Sequence, residues 1–354
     1  MIIPPPHRLL IIKPSSFGDI IHALPVLAAL SRHWPQASID WLVKEEWAGL
    51  LRNQRLLNEL LLFPKDLAAW LRLRQALQQR RYDMVIDLQG LLRSGAASLL
   101  ANARTRVGFA NGREGSRWCY TARIKSSAGA IHAVERNLDM LEQIGVPISG
   151  PVTFPLDVPA ESERWAETLW MREQIEVGEN TVVVHPAARW QTKRWPAERF
   201  AQVADRLSSH MGARIILVAG KEQISQVDEV LRHLRGCAIN LAGQSTLLEL
   251  AAILKKSTLV ISNDSGPMHL AAAVGTPVVA LFGPTDPRRV GPYGAAHVVL
   301  KKHFQCAGCT RRGCAHAQQC LKMITVDEVV AAASPFLPNR SSRARAPAAS
   351  DARH

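Results

Sequence analysis

Short apolar runs alternate along the 354-residue chain with longer stretches of helical period, and the alternation occurs in two series. In the first, apolar runs at 9–12, 39–42 and 84–87 predict strands, and apolar positions recurring every three or four residues predict helices over 20–32, 67–80 and 130–144. The second series predicts strands at 182–185, 215–219, 238–241, 259–262 and 278–282, with helices over 197–210, 224–234, 247–255 and 268–274. Strand and helix in alternation favour parallel α/β layers over a β-sandwich or a helical bundle. Between the series Pro147, Pro151, Pro155 and Pro159 stand too close together for regular structure and mark a linker. The expected organisation is a first Rossmann-like domain over 1–150, a linker over 151–178, a second Rossmann-like domain over 179–337, and a disordered basic tail over 338–354, where apolar content is low. Two doubly wound domains in tandem would face each other across a cleft, with ligands outside the carboxyl ends of the strands.

An apolar content of 47% is enough to fill two cores. The longest apolar candidate, 270–282, is interrupted by Gly275 and Pro277 and falls short of the roughly 20 residues that span a bilayer. The opening "MIIPPPHRLLIIK" places prolines where a signal peptide needs a helical apolar segment, so a soluble cytoplasmic protein is expected. The formal charge of +13 points to an anionic partner such as nucleic acid, a phosphorylated sugar or an acidic membrane surface. Much of that charge is concentrated: from Arg72 to Lys125 there are 11 basic residues against 3 acidic ones. No nucleic-acid recognition module accompanies it, so nucleic acid is not the expected partner.

Three strand-end loops carry candidate chemistry. In "VISNDSGPMHLAAAVG" a buried strand leads into a polar turn and then a helix, so Asp264, Ser265 and Gly266 stand beside unpaired backbone N–H groups at a positive helix end. The turn can hold an anion, or it can be an ordinary N-cap followed by proline. In "VVVHPAARWQTKRWP" the loop after the strand carries Arg189, Lys193 and Arg194; Lys193 can reach a pyrophosphate as a mobile charge, or the loop can be a basic surface. Convergence of the two loops would make a nucleoside diphosphate site. In "KPSSFGDIIHALP" Asp19 follows the first strand, either as a helix cap or as a base that takes a proton from a hydroxyl. The dinucleotide and Walker phosphate-loop patterns are both absent, which demotes hydride transfer and ATP hydrolysis. The run "CAGCTRRGCAHAQQC" places Cys306, Cys309, Cys314 and Cys320 near His303 and His316, and fits either a structural zinc site or free thiols.

Taken with "DLQGLLRS", "HAVERNLDML" and "NDSGPMHLAAAVGTPVVALFGPTDP", these motifs resemble the lipopolysaccharide heptosyltransferases of glycosyltransferase family nine, over roughly residues 9–294 and closer to the type I branch. The resemblance implies a GT-B architecture of two facing Rossmann-like domains and an inverting transfer of heptose from ADP-heptose to the Kdo of lipid A. It makes Asp19 the general base, Lys193 a donor-phosphate contact, Asp264 a sugar-hydroxyl contact, and Ser265 and Gly266 phosphate-contacting backbone, with His269 supporting the turn. Glu222 becomes a candidate ribose partner or a solvated cap. Ser16, Gly18, Arg93, Arg113 and Arg117 become candidates for holding the anionic acceptor, and peripheral contact with the cytoplasmic face of the inner membrane is implied. The chain departs from the type I pattern at Ala187 and Ala188, where hydroxyl side chains are common. Catalysis by this scheme requires no cofactor. The alternatives are the same fold with another nucleotide sugar or acceptor, or a non-catalytic scaffold for an anionic glycolipid.

Overall fold

The computed structural model describes residues 4–304, 314, 316 and 318–337, which divide at Pro159/Ala160 into two compact units, with Arg288–Val290 grouped with the first. The first unit holds β1 (Arg8–Ile12), β2 (Ser38–Val43), β3 (Glu59–Leu62), β4 (Met84–Asp87), β5 (Thr105–Phe109) and β6 (Ala122–Ile124). They form one parallel sheet in the order β3-β2-β1-β4-β5-β6. β1 and β4 are central, with helices on both sheet faces, which is why their sequences are apolar without alternation. Leu10, Ile12, Leu42 and Val85 form its core with Leu73 and Leu77 of the helix Leu67–Arg80. A buried polar group is satisfied locally: Asp40 accepts from the Tyr82 hydroxyl at 2.6 Å and from Asn58 Nδ2 at 2.9 Å.

The second unit holds β7 (Thr181–His185), β8 (Arg214–Leu217), β9 (Ile239–Asn240), β10 (Leu259–Asn263), β11 (Val278–Phe282) and β12 (Val298–Lys301). Its order, β12-β11-β10-β7-β8-β9, counted from its own first strand, repeats the winding of the first sheet, and all its pairs are parallel. Val182, Phe200, Ile215, Leu259 and Leu281 lie in its core. In each sheet the strand order reverses between two central strands, β1 and β4 in one and β7 and β10 in the other. Loops leaving those strands at their carboxyl ends diverge and leave a crevice. All three candidate loops leave such strands.

Four strands were not predicted: Glu59–Leu62, Thr105–Phe109, Ala122–Ile124 and Val298–Lys301. The helix expected over 20–32 is two helices, Phe17–Ile21 and Leu24–His33, because Pro25 lacks an N–H and sits in the first turn of the second. The expected linker over 151–178 needs correction in its second half. Residues Ala160–Arg172 form a helix that packs on the helix Leu247–Lys256 in the second unit, with Lys255 Nζ 2.9 Å from Glu163 Oε1. Its apolar residues, Ala166 and Leu169 among them, recur at helical period between acidic residues, whereas the prolines that suggested a linker end at Pro159. The tail over 338–354 lies outside the described residues. Among the described residues no helix is long and apolar enough to cross a membrane.

Candidate functional site

In the first unit the chain leaves β1 through Lys13 to Ser16 and enters the helix Phe17–Ile21, with Ser16 at the N-cap and Asp19 at the third helical position. Asp19 completes a capping box: its Oδ2 accepts from Ser16 N at 3.0 Å and from the Ser16 hydroxyl at 2.7 Å. The half-buried carboxylate lines a pocket of about 430 Å³ with Lys13, His22, Arg113, Arg136 and Asn137. Burial alone would raise the Asp19 pKa, but the Lys13 ammonium, the two Ser16 hydrogen bonds and His22 together hold it below the ordinary carboxylate value. Lys13 is itself buried and donates through Nζ to the Leu88 carbonyl at 3.0 Å, which fixes its ammonium beside the β4 loop. That loop is shaped by Asp87, whose Oδ1 accepts from Gln89 N at 2.8 Å and Gly90 N at 3.2 Å, with Gly90 at a φ of +67° that favours glycine. The Tyr120 hydroxyl donates to Asp87 Oδ2 at 2.7 Å, and burial raises the Asp87 pKa.

A further part of the wall comes from "HAVERNLDML", beside Phe109, Asn111, Gly112 and Arg289. His132 Nδ1 accepts from Val134 N at 3.2 Å and caps the helix Ala133–Gln143, with Glu135 completing the box. This start places Arg136 and Asn137 on the pocket side. Asn137 Nδ2 donates to the His22 carbonyl at 3.1 Å, and the Arg136 guanidinium carbon lies 5.3 Å from the Phe109 ring centroid. Guanidinium, ammonium and amide donors therefore surround one carboxylate, a set suited to an anionic molecule that carries a hydroxyl.

In the second unit the loops after β7, β10 and β11 converge. Asn263, fully buried at the end of β10, donates through Nδ2 to the Pro186 carbonyl at 2.6 Å and accepts at Oδ1 from Trp195 N at 3.1 Å. One amide thus pins the β10 turn to both ends of the β7 loop. Lys193 Nζ is 2.6 Å from Asp264 Oδ2 and 5.5 Å from the Trp190 ring centroid. The Thr285 hydroxyl, from the loop after β11, donates to the same carboxylate oxygen, and Lys301 Nζ donates to the Thr285 carbonyl at 2.8 Å. Ser265 is the N-cap of the helix Gly266–Ala273, and its hydroxyl lies 3.1 Å from His185 Nδ1. Burial pushes the His185 pKa down to about 4, so the imidazole is neutral at neutral pH. A helix start, an ordered ammonium and a neutral imidazole at the carboxyl end of one sheet suit a phosphate group.

The family model for glycosyltransferase family 9 (heptosyltransferase) matches residues 70–319. The chain belongs to glycosyltransferase family 9. The lipopolysaccharide core heptosyltransferase OpsX of Haemophilus influenzae is 28% identical over 296 residues, 81% of this family 9 chain and 82% of that protein. Among solved structures, the family 9 glycosyl transferase of Veillonella parvula superposes with a TM-score of 0.82 at 24% identity, over 94% of this chain and 97% of that one. Escherichia coli heptosyltransferase WaaC with ADP gives a TM-score of 0.72 at 24% identity, over 93% and 99%. The fold of this glycosyltransferase is accordingly GT-B.

The candidate residues of the glycosyltransferase are placed unevenly. Asp19 and Arg113 share the first-unit pocket, while Ser16 lies behind Asp19 as its cap and Gly18 is half-buried in the same helix. Arg93 stands apart: its guanidinium donates to the Pro64 carbonyl at 2.8 Å and lies 5.3 Å from the Phe63 ring centroid. Arg117 is also outside the pocket lining, 4.7 Å from the Trp118 ring centroid. In the second unit Lys193, Asp264, Ser265 and Gly266 come together, and His269 is buried one turn into the helix. Glu222 is exposed on the short turn Lys221–Gln223 after β8. Ala187 and Ala188 are fully buried, and Arg194 Nε donates to the Ala188 carbonyl at 2.8 Å, so this loop is fixed through its backbone. Of the cysteines, Cys306 and Cys309 lie outside the described residues. Cys314 Sγ accepts from Gln318 N at 3.3 Å, Cys320 is buried, and among the described residues no three His, Cys, Asp or Glu side chains gather as metal ligands. Sequence reasoning missed Lys13, Arg136, Asn137, Asn263 and Thr285. All five stand inside the quoted motifs, so the signal was present and only their direction was lacking.

Proposed function

We propose that this family 9 glycosyltransferase moves a heptose from ADP-heptose to a Kdo hydroxyl of the lipopolysaccharide inner core, with inversion at the anomeric carbon. The carrying observation is Asp19, ionised at neutral pH and set in a pocket lined by Lys13, Arg113 and Arg136. In this reading the Asp19 carboxylate takes the proton of the acceptor hydroxyl. The acceptor oxygen then bonds to the anomeric carbon, and the bond from that carbon to the phosphate oxygen breaks, with its electron pair leaving on ADP. Arg113 and Arg136 hold the acid groups of the acceptor. Lys193 and the backbone of Ser265 and Gly266 take the diphosphate, Asp264 a sugar hydroxyl and Glu222 the ribose, with His269 behind the turn. Related structures of Escherichia coli WaaC, one with ADP and one with ADP-2-deoxy-2-fluoro heptose, support an adenosine diphosphate donor. The names of relatives, lipopolysaccharide heptosyltransferases 1 and 3 among them, support the acceptor. We place the enzyme at the cytoplasmic face of the inner membrane, where such an acceptor is presented, and on the type I branch.

The test incubates the full chain with ADP-heptose and Kdo2-lipid A and compares Asp19→Asn. A positioned general base contributes about 10²- to 10⁴-fold, so turnover should fall by that factor while ADP affinity is retained. Undiminished turnover in Asp19→Asn would reduce the residue to a helix cap. A parallel screen with UDP- and GDP-sugars in place of ADP-heptose checks the donor, and transfer from either in preference would redirect the reading to another nucleotide sugar.

A further inference from the structure

Part of the basic window between Arg72 and Lys125 lies outside the pocket. On the turn Ser116–Cys119, Trp118 keeps 66% of its surface exposed. The guanidinium carbons of Arg117 and Arg123 lie 4.7 and 4.8 Å from its ring centroid. The turn packs on the helix Leu92–Leu100, and the Glu114 carboxylate accepts from Leu92 N at 3.2 Å, tying that helix to the segment that leads into the turn. Leu92 and Leu99, two turns apart on one face of the helix, remain 51% and 48% exposed. The exposed indole and the two guanidiniums over it thus present an apolar body and two cations on one small surface.

We propose that Arg117, Trp118 and Arg123 form a docking surface for an anionic phospholipid bilayer. An indole places its apolar body at the level of the headgroups, and guanidiniums stacked on it meet the phosphates there. Stacking pre-orders both arginines, so less freedom is lost when they bind. Phosphate attraction alone would suit nucleic acid equally well. The exposed leucines on the supporting helix favour lipid, because they match the boundary between headgroup and acyl chain. The inference rests on the reading that the acceptor is lipid-borne, and gives that reading a surface: acceptor and enzyme would meet in two dimensions.

The experiment sediments the full chain with vesicles of three parts phosphatidylcholine to one part phosphatidylglycerol, and with vesicles of phosphatidylcholine alone. The natural protein should bind the anionic vesicles and release as salt is raised. Arg123→Gln should lower that partition about fivefold, the worth of one basic residue near the surface. Trp118→Ser should lower it about tenfold or more, from the lost apolar area. Both variants should match the natural protein in transfer to a deacylated, water-soluble acceptor. Equal partition of the natural protein and both variants would overturn the proposal and leave the charge elsewhere on the chain responsible. Equal binding to neutral vesicles would overturn it too, as would loss in the variants of binding to a single-stranded oligonucleotide but not to vesicles. The transfer arm separates the two readings, since absence of transfer in every protein overturns the heptosyltransferase reading whatever the vesicles show.

Discussion

Lys193 and Asp264, expected from the sequence as two separate contacts for a donor, pair with each other at 2.6 Å, with 19% and 5% of their side chains exposed. At that separation and an effective dielectric constant of about 20, the attraction is on the order of 6 kcal/mol before desolvation is charged against it. Removing one partner of a buried pair strands the other and costs about 3–5 kcal/mol. Lys193 keeps some access to water, so we place Lys193→Ala near the lower end, at about 3 kcal/mol. Asp264→Asn keeps the shape and leaves a cation that water can partly reach, so it should cost less, about 1–2 kcal/mol. The double variant should be less unstable than the sum of the two by about 1–3 kcal/mol. Urea unfolding of the four proteins gives this cycle directly. Titration with ADP then separates the roles. On the proposed reading Lys193→Ala weakens ADP by about 1–3 kcal/mol, the range for a charge-assisted hydrogen bond. Asp264→Asn should leave ADP affinity unreduced, because it removes the carboxylate that competes with the diphosphate for the ammonium. Single variants within 0.5 kcal/mol of the natural protein, as surface changes usually are, would refute the energetic argument. Equal losses of ADP affinity in both would refute the division of roles.

Three further outcomes follow from particular contacts. His185 titrates near pH 6.5 when unfolded and at about 4 in the fold, so between these values the unfolded chain binds more protons and stability falls on acidification. The loss approaches about 3 kcal/mol by pH 4; His185→Asn should remove it, and an unchanged difference in stability between pH 7 and pH 4.5 would count against the buried neutral imidazole. Lys13→Met removes a cation that lowers the Asp19 pKa, so the acid limb of the pH–rate profile should move to higher pH, and an unmoved limb would dissociate the two residues. Gly108→Ala would bring a Cβ to 2.4 Å from the Tyr120 ring and should cost about 1–3 kcal/mol in denaturant unfolding, a figure that a neutral result would exclude.

What could be read in the sequence depended on burial. The runs at 9–12, 84–87, 182–185 and 278–282 are interior strands covered on both faces, so no polar residue interrupts their core until the end. Glu59–Leu62, Ala122–Ile124 and Val298–Lys301 are sheet edges carrying Glu59, Arg123 and Lys301, and Thr105–Phe109 carries Arg106 and Gly108, so charge or glycine stands within each element, although residues 60–63 do form an apolar run. At the site, residues adjacent in sequence to a strand end were legible: Asp19 after β1 and the Asp264 turn after β10. Their partners were not, because Lys13 is placed by the Leu88 carbonyl in the loop after β4 and Thr285 by the loop after β11, and only the winding of the sheet brings those loops together. Arg93 and Arg117 illustrate the opposite error, since charge in the right window says nothing of direction, and both turned onto neighbouring aromatic rings.

The double duty of Asp19 constrains the proposed chemistry. A carboxylate held by Ser16 through its backbone N–H and its hydroxyl, and attracted to Lys13, is ionised at neutral pH but is a weak base. It cannot strip an ordinary hydroxyl of its proton before attack. The hydroxyl becomes acidic only as its oxygen bonds to the anomeric carbon, so proton transfer must accompany or follow that bond rather than precede it. Much of the rate must then come from orientation, with the acceptor oxygen held between carboxylate and anomeric carbon. The capping box serves that requirement: the two bonds from Ser16 fix the plane of the carboxylate, and the basicity they take away is what a late proton transfer does not need.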